Sequence, residues 1–316
     1  MLSMKNSFSI RSLRSDSLRA TPALVLVSLG LFTLSLSACQ SGAGTQGGGG
    51  SLTISDFNGA DPLQPSSPKD QAPPENPSGT PIAPSRSWSV DAMIFAGTGT
   101  WGTEVSSLKS ILSAQGASYL EVSSADLNSM SLDELADFGV LVFPGGYGGQ
   151  QSSSLTSATR ERIRQAVQQR GVGYTGFCAG SFIAVAPAPS PGGDVSYGIG
   201  VVDGPVLDYY YLENQGVTAD MTLLTFADGT TRDVLWYGGP ITPAGDGDVV
   251  ARYPNGDPAI SEIDSGQGLV VLSGGHPGAP ASVKSSFGLS DSDGTDFALT
   301  WSLIRAAMNH ERLPAE

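Results

Sequence analysis

The stretch GVGYTGFCAGSFIA, residues 171–184, decides how the chain is read. VGYTGFC, residues 172–178, reads as a short apolar strand. Gly176, Ala179 and Gly180 surround Cys178 with small residues, and a helix starts near Ser181. A strand that turns at once into a helix is the building unit of parallel α/β sheets. So tight a turn lifts its central side chain to the carboxyl edge of the sheet, where such sheets bind ligands. The helix N-terminus behind the thiol favours the thiolate, the attacking species. The plainer use of a free cysteine is as a small buried hydrophobe.

Upstream, the same alternation continues. SVDAMIFAG (89–97) reads as a strand, and TEVSSLKSILSAQG (103–116) as a helix with Val105, Leu108, Ile111 and Leu112 on one face and Gly116 as its stop. SYLEVSS (118–124) is a second strand, and a short helix follows with Ser131 as its cap. VLVFPGG (140–146) is a third strand, apolar throughout as when both faces of a sheet are covered. SLTSATRERIRQAVQQRG (154–171) reads as one long helix. These elements predict an α/β fold: a mostly parallel sheet with helices on both faces. The second half, from 197 to 275, changes to short strands and turns, with ADGT (227–230) and PNGD (254–257) as hairpin signals. A helix over TDFALTWSLIRAAMNH (295–310) closes the chain, with His310 in its last turn suited to a capping or dipole role.

Two further glycine turns fall at strand ends. In LVVLSGGHPG (269–278) a strand ends in two glycines and His276, one of only two histidines. A histidine there can serve as general base for Cys178. In VFPGGYGG (142–149), Gly145 and Gly146 can turn peptide N–H groups toward a developing oxyanion. Tyr147, Trp236, Tyr237, Gly238 and Gly239 are the expected pocket residues, aromatic walls with few polar groups.

The N-terminal third has another character. Lys5, Arg11, Arg14 and Arg19 precede an uncharged run, TPALVLVSLGLFTLSLSA (21–38), which ends in small residues as a secretory signal does. Leu36, Ser37, Ala38 and Cys39 resemble the lipobox of bacterial lipoproteins, whose cysteine is acylated and becomes the mature N-terminus. Residues 1–38 are thus expected to be a lipoprotein signal peptide. Cys39 is expected to carry lipid, palmitate included, into a bilayer. Gln40, rather than Asp, leans toward an outer membrane where the cell has one. Residues 39–87, with GTQGGGGS (44–51) and a Pro-rich run (61–85), read as a disordered tether; the Pro-rich part also suits cell-wall or envelope-protein contacts. The folded domain is expected over 88–316. With Cys39 acylated, Cys178 has no partner in the chain.

Composition excludes some functions. Net charge is −14 with no basic run in the body of the chain, so nucleic acid is not an expected partner. Two distant histidines and one thiol supply no metal ligand set, and no cofactor is expected.

Taken together, VLVFPGG, GVGYTGFCAGSFIA and LSGGHP resemble the oxyanion strand, nucleophile elbow and histidine loop of the class I glutamine amidotransferase-like superfamily. DVLWYGGP (233–240), ARYPNGDPAI (251–260) and GQGLVVLSGGHP (266–277) are closest to the N-terminal domain of some biotin–protein ligases. The resemblance implies a flavodoxin-like fold with extra β-hairpins, Cys178 as nucleophile, His276 as its partner, and the N–H groups of Gly146 and Ala179 as oxyanion donors beside Gly145. Amidotransferases usually place a Glu two residues after the histidine; Gly278 stands there, and Glu104 after the first strand is a candidate substitute. Neither a synthase partner domain nor a biotin-ligase catalytic domain is present, so ligase activity is not expected. The readings are a Cys-dependent hydrolase of a small-molecule or peptide amide, a catalytically degenerate binding domain, and a thiol redox or stress protein.

Overall fold

In a computed structural model the chain is described over residues 86–186, 198–205, 207–244 and 248–315. The expected signal peptide, the Cys39 lipidation site and nearly all of the tether lie outside the described residues.

The first half is the alternating unit its sequence predicts. Strand β1 (Val90–Phe95) leads to α1 (Gly102–Ala114), then β2 (Tyr119–Val122), the short helices α2 (Ser124–Ser129) and α3 (Leu132–Ala136), and β3 (Phe138–Phe143). Helices α4 (Gly148–Ser154) and α5 (Ser157–Arg170), β4 (Gly173–Phe177) and α6 (Ala179–Ala184) follow. Where one helix is expected over 154–171, the chain breaks at Leu155. Thr156 instead caps α5 by accepting the Thr159 N–H, 3.1 Å. Gly171 then closes α5 in the left-handed region. Helix α6 begins at Ala179, directly behind Cys178 and two residues ahead of expectation.

The second half adds a two-stranded parallel pair, β5 (Val185–Ala186) with β6 (Val202–Asp203). It then runs through β7 (Asp220–Phe226), β8 (Thr231–Trp236), β9 (Asp248–Arg252), β10 (Pro258–Ser265) and β11 (Gly268–Ser273), and ends in α7 (Ala281–Ser286) and α8 (Phe297–Asn309). Gly229 and Gly256 take φ of +82° and +91° in the hairpins joining β7 to β8 and β9 to β10, at the two turns the sequence marks.

One nine-stranded sheet results, ordered β2-β1-β3-β4-β11-β10-β9-β7-β8. The five strands from β2 to β11 are mutually parallel, and the remaining four pair antiparallel. That is the flavodoxin-like arrangement extended on one edge by hairpins. Strand alternation sorts the core: Ala92 and Ile94 pack with Leu108 of α1 and Leu303 of α8, while Met93 and Phe95 pack with Leu127, Ile163 and Ile183 on the other face. With both faces covered, every residue of β3, β4 and β11 is buried.

The chain enters at the opposite edge from the site. The Arg86 guanidinium donates to the carbonyls of Ala136, Phe138, Gly139 and Gly171, which lie at the amino ends of β3 and β4. Arg86 thus ties the chain to that end of the sheet.

Candidate active site

The carboxyl ends of β1, β3, β4 and β11 converge, and each delivers one part of the site. Cys178 ends β4 with φ +47° and ψ −104°, one of two non-glycine residues among those described with positive φ. Such a conformation is strained and persists only where surroundings impose it. Here the Cys178 N–H donates to the Ser273 carbonyl of β11 at 2.8 Å. Ser181 Oγ, 2.8 Å from the same carbonyl, ties α6 to the turn. Cys178 is 4% exposed, and its sulfur lies 3.5 Å from the Tyr237 carbonyl and 3.9 Å from that of Gly238.

His276 follows β11 and is 1% exposed. Its Nδ1 lies 3.0 Å from Glu104 Oε1, and Glu104, in the first turn of α1, is also 1% exposed. The second oxygen, Glu104 Oε2, accepts the Gly145 N–H at 2.5 Å. One carboxylate thus fixes both the imidazole and the glycine turn after β3, and it takes the Gly145 N–H that the sequence offered to the oxyanion. Burial lowers the His276 pKa, but the charges of Glu104 and Cys178 and hydrogen bonding to both outweigh it, leaving the pKa well above the usual imidazole value. With Nδ1 engaged, the buried Nε2 has no hydrogen-bond partner among the described residues and is the nitrogen left for the sulfur. The Trp101 ring stands perpendicular to the imidazole, centroids 5.1 Å apart, and shields the pair from water.

Gly145 and Gly146 are glycines for steric reasons. A Cβ on Gly145 would sit 2.3 Å from His276 Cε1. Gly146 holds φ +135°, and a Cβ there would strike the Gly99 carbonyl at 2.1 Å. The Trp101 N–H donates to the Gly145 carbonyl and the Tyr147 N–H to the Gly99 carbonyl, 2.8 and 2.7 Å. Among the described residues the N–H groups of Gly146 and Ala179 have no protein acceptor. Both residues line a cavity of about 350 Å³ that also holds Cys178. Buried Gln151, on α4, supports the turn by donating through Nε2 to the Pro144 and Gly145 carbonyls, 3.0 and 3.2 Å.

The expected pocket needs three corrections. Tyr147 and Gly238 line the cavity. Trp236 does not: it points into the core, fully buried, donating its indole N–H to the Gly239 carbonyl at 3.0 Å. Gly239 is structural, because a Cβ there would overlap the Gly274 carbonyl at 1.6 Å. The Tyr237 ring turns to Trp101, His276 and Phe287, and only its carbonyl reaches the sulfur. Phe182 and Tyr209 do line the cavity, their rings 4.7 Å apart, and were not expected. The Tyr209–Tyr211 run is the signal that could have pointed to Tyr209. His310 caps α8 at φ +57°, with Nε2 3.0 Å from the Gly171 carbonyl, remote from the cysteine turn. Among the described residues no group of three or more His, Cys, Asp or Glu is arranged to hold a metal ion.

Residues 90–190 match the family model described as biotin-protein ligase, N terminal. The matched segment includes Glu104, Gly145, Gly146 and Cys178, and leaves His276 outside. No curated protein matches the chain by sequence. Among solved structures, a glutamine amidotransferase is similar at 17% identity over 68% of this chain and 98% of its own, TM-score 0.47. A cytoplasmic protein from Salmonella typhimurium is similar at 13% identity over 69% and 99%, TM-score 0.42. An exo-β-1,4-mannosidase from an Opitutaceae bacterium is similar at 10% identity, TM-score 0.36; the match covers 71% of this chain and only 36% of that one. Likeness at this level carries no chemistry. Over residues 90–190 the chain is similar to the N-terminal domain of biotin–protein ligases.

Proposed function

We propose that the domain is a cysteine-dependent amide hydrolase. The observation that carries this reading is Cys178, held at positive φ on the carboxyl edge of the sheet beside the buried His276–Glu104 pair. His276 takes the thiol proton, and the sulfur attacks the amide carbonyl carbon to form a C–S bond. The oxyanion is received by the N–H groups of Gly146 and Ala179, which have no other described acceptor. The C–N bond breaks as imidazolium returns the proton to the leaving nitrogen. His276 then deprotonates a water that attacks the thioester, releasing the acid and restoring the thiol. The sum is amide plus water to acid plus amine.

The degenerate-binder reading drew on Gly278, where the usual acid is missing. Glu104 occupies that role from α1, so the departure no longer favours a dead site. A redox role needs only an accessible thiol and leaves the buried His276–Glu104 pair without a use. The sequence of the first 39 residues supports the further proposal that Cys39 anchors the domain to a membrane by lipid, outside the cytoplasm. No described helix is long and apolar enough to cross one.

The test is a panel of peptide and small-molecule amides turned over by the parent protein, Cys178→Ser and His276→Ala. The proposal expects turnover by the parent, with losses of about a thousand-fold or more in both variants. Equal turnover by all three, or none by any, contradicts it.

A further inference from the structure

Apart from the sulfur, the cavity presents no ionisable group more acidic than a phenol. Gly146, Gly148, Gly149 and Ala179 offer backbone, Gln150 a neutral amide side chain, and Phe182, Tyr147 and Tyr209 rings, the two tyrosines being 41% and 50% exposed at the mouth. No Lys or Arg is among the lining residues. One charge does stand at the rim. Glu213, on the exposed turn Glu213–Gln215, places Oε2 where a Cβ on Gly238 would lie 3.8 Å away. Burial, then the Glu213 charge, then Cys178 raise the pKa of Tyr209, so the carboxylate acts on the cavity wall.

These surroundings bear on the acyl donor. A free amino-acid amide carries an α-carboxylate a few bonds from its reacting carbonyl. That carboxylate needs an Arg, a Lys or several converging N–H groups to replace its water. No Lys or Arg lines the cavity, the N–H groups of Gly146 and Ala179 are assigned to the reacting oxygen, and Glu213 repels an anion at the entrance. An amide within a peptide has its neighbouring carboxyl already condensed and brings no such charge.

We propose, building on the hydrolase reading of the same site, that the cavity takes acyl groups that are neutral or carry an ammonium and excludes anionic ones, and that Glu213 sets this preference. The substrate class is then an amide within a peptide or an amine-bearing amide, not a free amino acid.

Charged thiol reagents test this without knowledge of the substrate. The full chain is treated with 2-aminoethyl, methyl and 2-sulfonatoethyl methanethiosulfonate, which are cationic, neutral and anionic. Modification of Cys178 is followed by peptide mass spectrometry, which separates it from Cys39, and rates are normalised to 2-mercaptoethanol. The cation-over-anion preference at Cys178 is expected to exceed that of the small thiol by about ten-fold. Glu213→Gln is expected to cut that preference by about three-fold, as suits an exposed, partly screened charge, while the neutral rate holds. A preference equal to that of 2-mercaptoethanol, or one unmoved by Glu213→Gln, overturns the proposal and leaves the hydrolase reading standing. Failure of all three reagents to modify Cys178 overturns both, because no solute then reaches the sulfur.

Discussion

Glu104 links two parts of the site that the sequence keeps far apart, holding the His276 ring with one oxygen and the Gly145 N–H with the other. Removing one partner from a buried pair of this kind typically costs about 3–5 kcal/mol. Gly278, two residues past the histidine, faces elsewhere: a Cβ there would meet Thr300 and Ile111 at 3.5–3.8 Å, in the packing of α1 against α8. The raised His276 pKa has a consequence for stability. A group whose folded pKa exceeds its unfolded value, about 6.5 for histidine, stabilises the fold fully below that value. The contribution is lost as pH rises through the folded value. The denaturation free energy of the parent minus that of His276→Gln is therefore expected to fall as the pH rises above about 6.5, toward the raised folded value. Other titrating groups, such as Asp296 with a pKa pushed up by burial to about 8, cancel in that difference. A difference that is flat or rises with pH contradicts the ion pair. Cys178 and His276 were legible in the sequence because each follows a strand and a glycine turn. Glu104 could be named only as a candidate, since no local pattern reports a contact across 172 positions.

Among the elements, the break between α4 and α5 is where tertiary structure overrides local pattern. The sequence there reads as continuous helix, yet Asn128 of α2 reaches across to both sides of the break. Its Nδ2 donates to the Ser154 carbonyl and its Oδ1 accepts the Thr156 N–H, 2.9 and 3.0 Å. Those bonds satisfy the helix ends that a break leaves open. With Thr156 capping α5, Thr156→Ala is expected to cost about 1 kcal/mol, seen as a lower urea midpoint with an unchanged slope. An unchanged midpoint would mean that Asn128 alone defines the boundary. The hairpin turns were legible for the opposite reason: Gly229 and Gly256 need positive φ, and that need is written locally. Trp236 was misassigned because a strand alternates faces. Its neighbours in the sequence do not say that Val234 and Trp236 share the core-facing side of β8.

Over the whole domain, the parallel order places four strand ends at one edge and the Arg86 anchor at the other, so the cavity opens away from where the chain enters the domain. The α/β class and the parallel half follow from strand–helix alternation. The antiparallel edge is less legible, because short strands do not declare their partners and β11 joins β4 only after the chain has turned back from β10. What the fold accomplishes is to bring residues 104, 178 and 276 into one buried group. The most direct test of that claim is the rate at which iodoacetamide alkylates Cys178 at pH 7, in the parent, His276→Ala and Glu104→Gln. The account predicts alkylation of the parent faster than of a simple thiol, slowed by about ten-fold or more in His276→Ala and by a smaller factor in Glu104→Gln. A Cys178 that resists alkylation, or reacts equally fast in all three proteins, contradicts it.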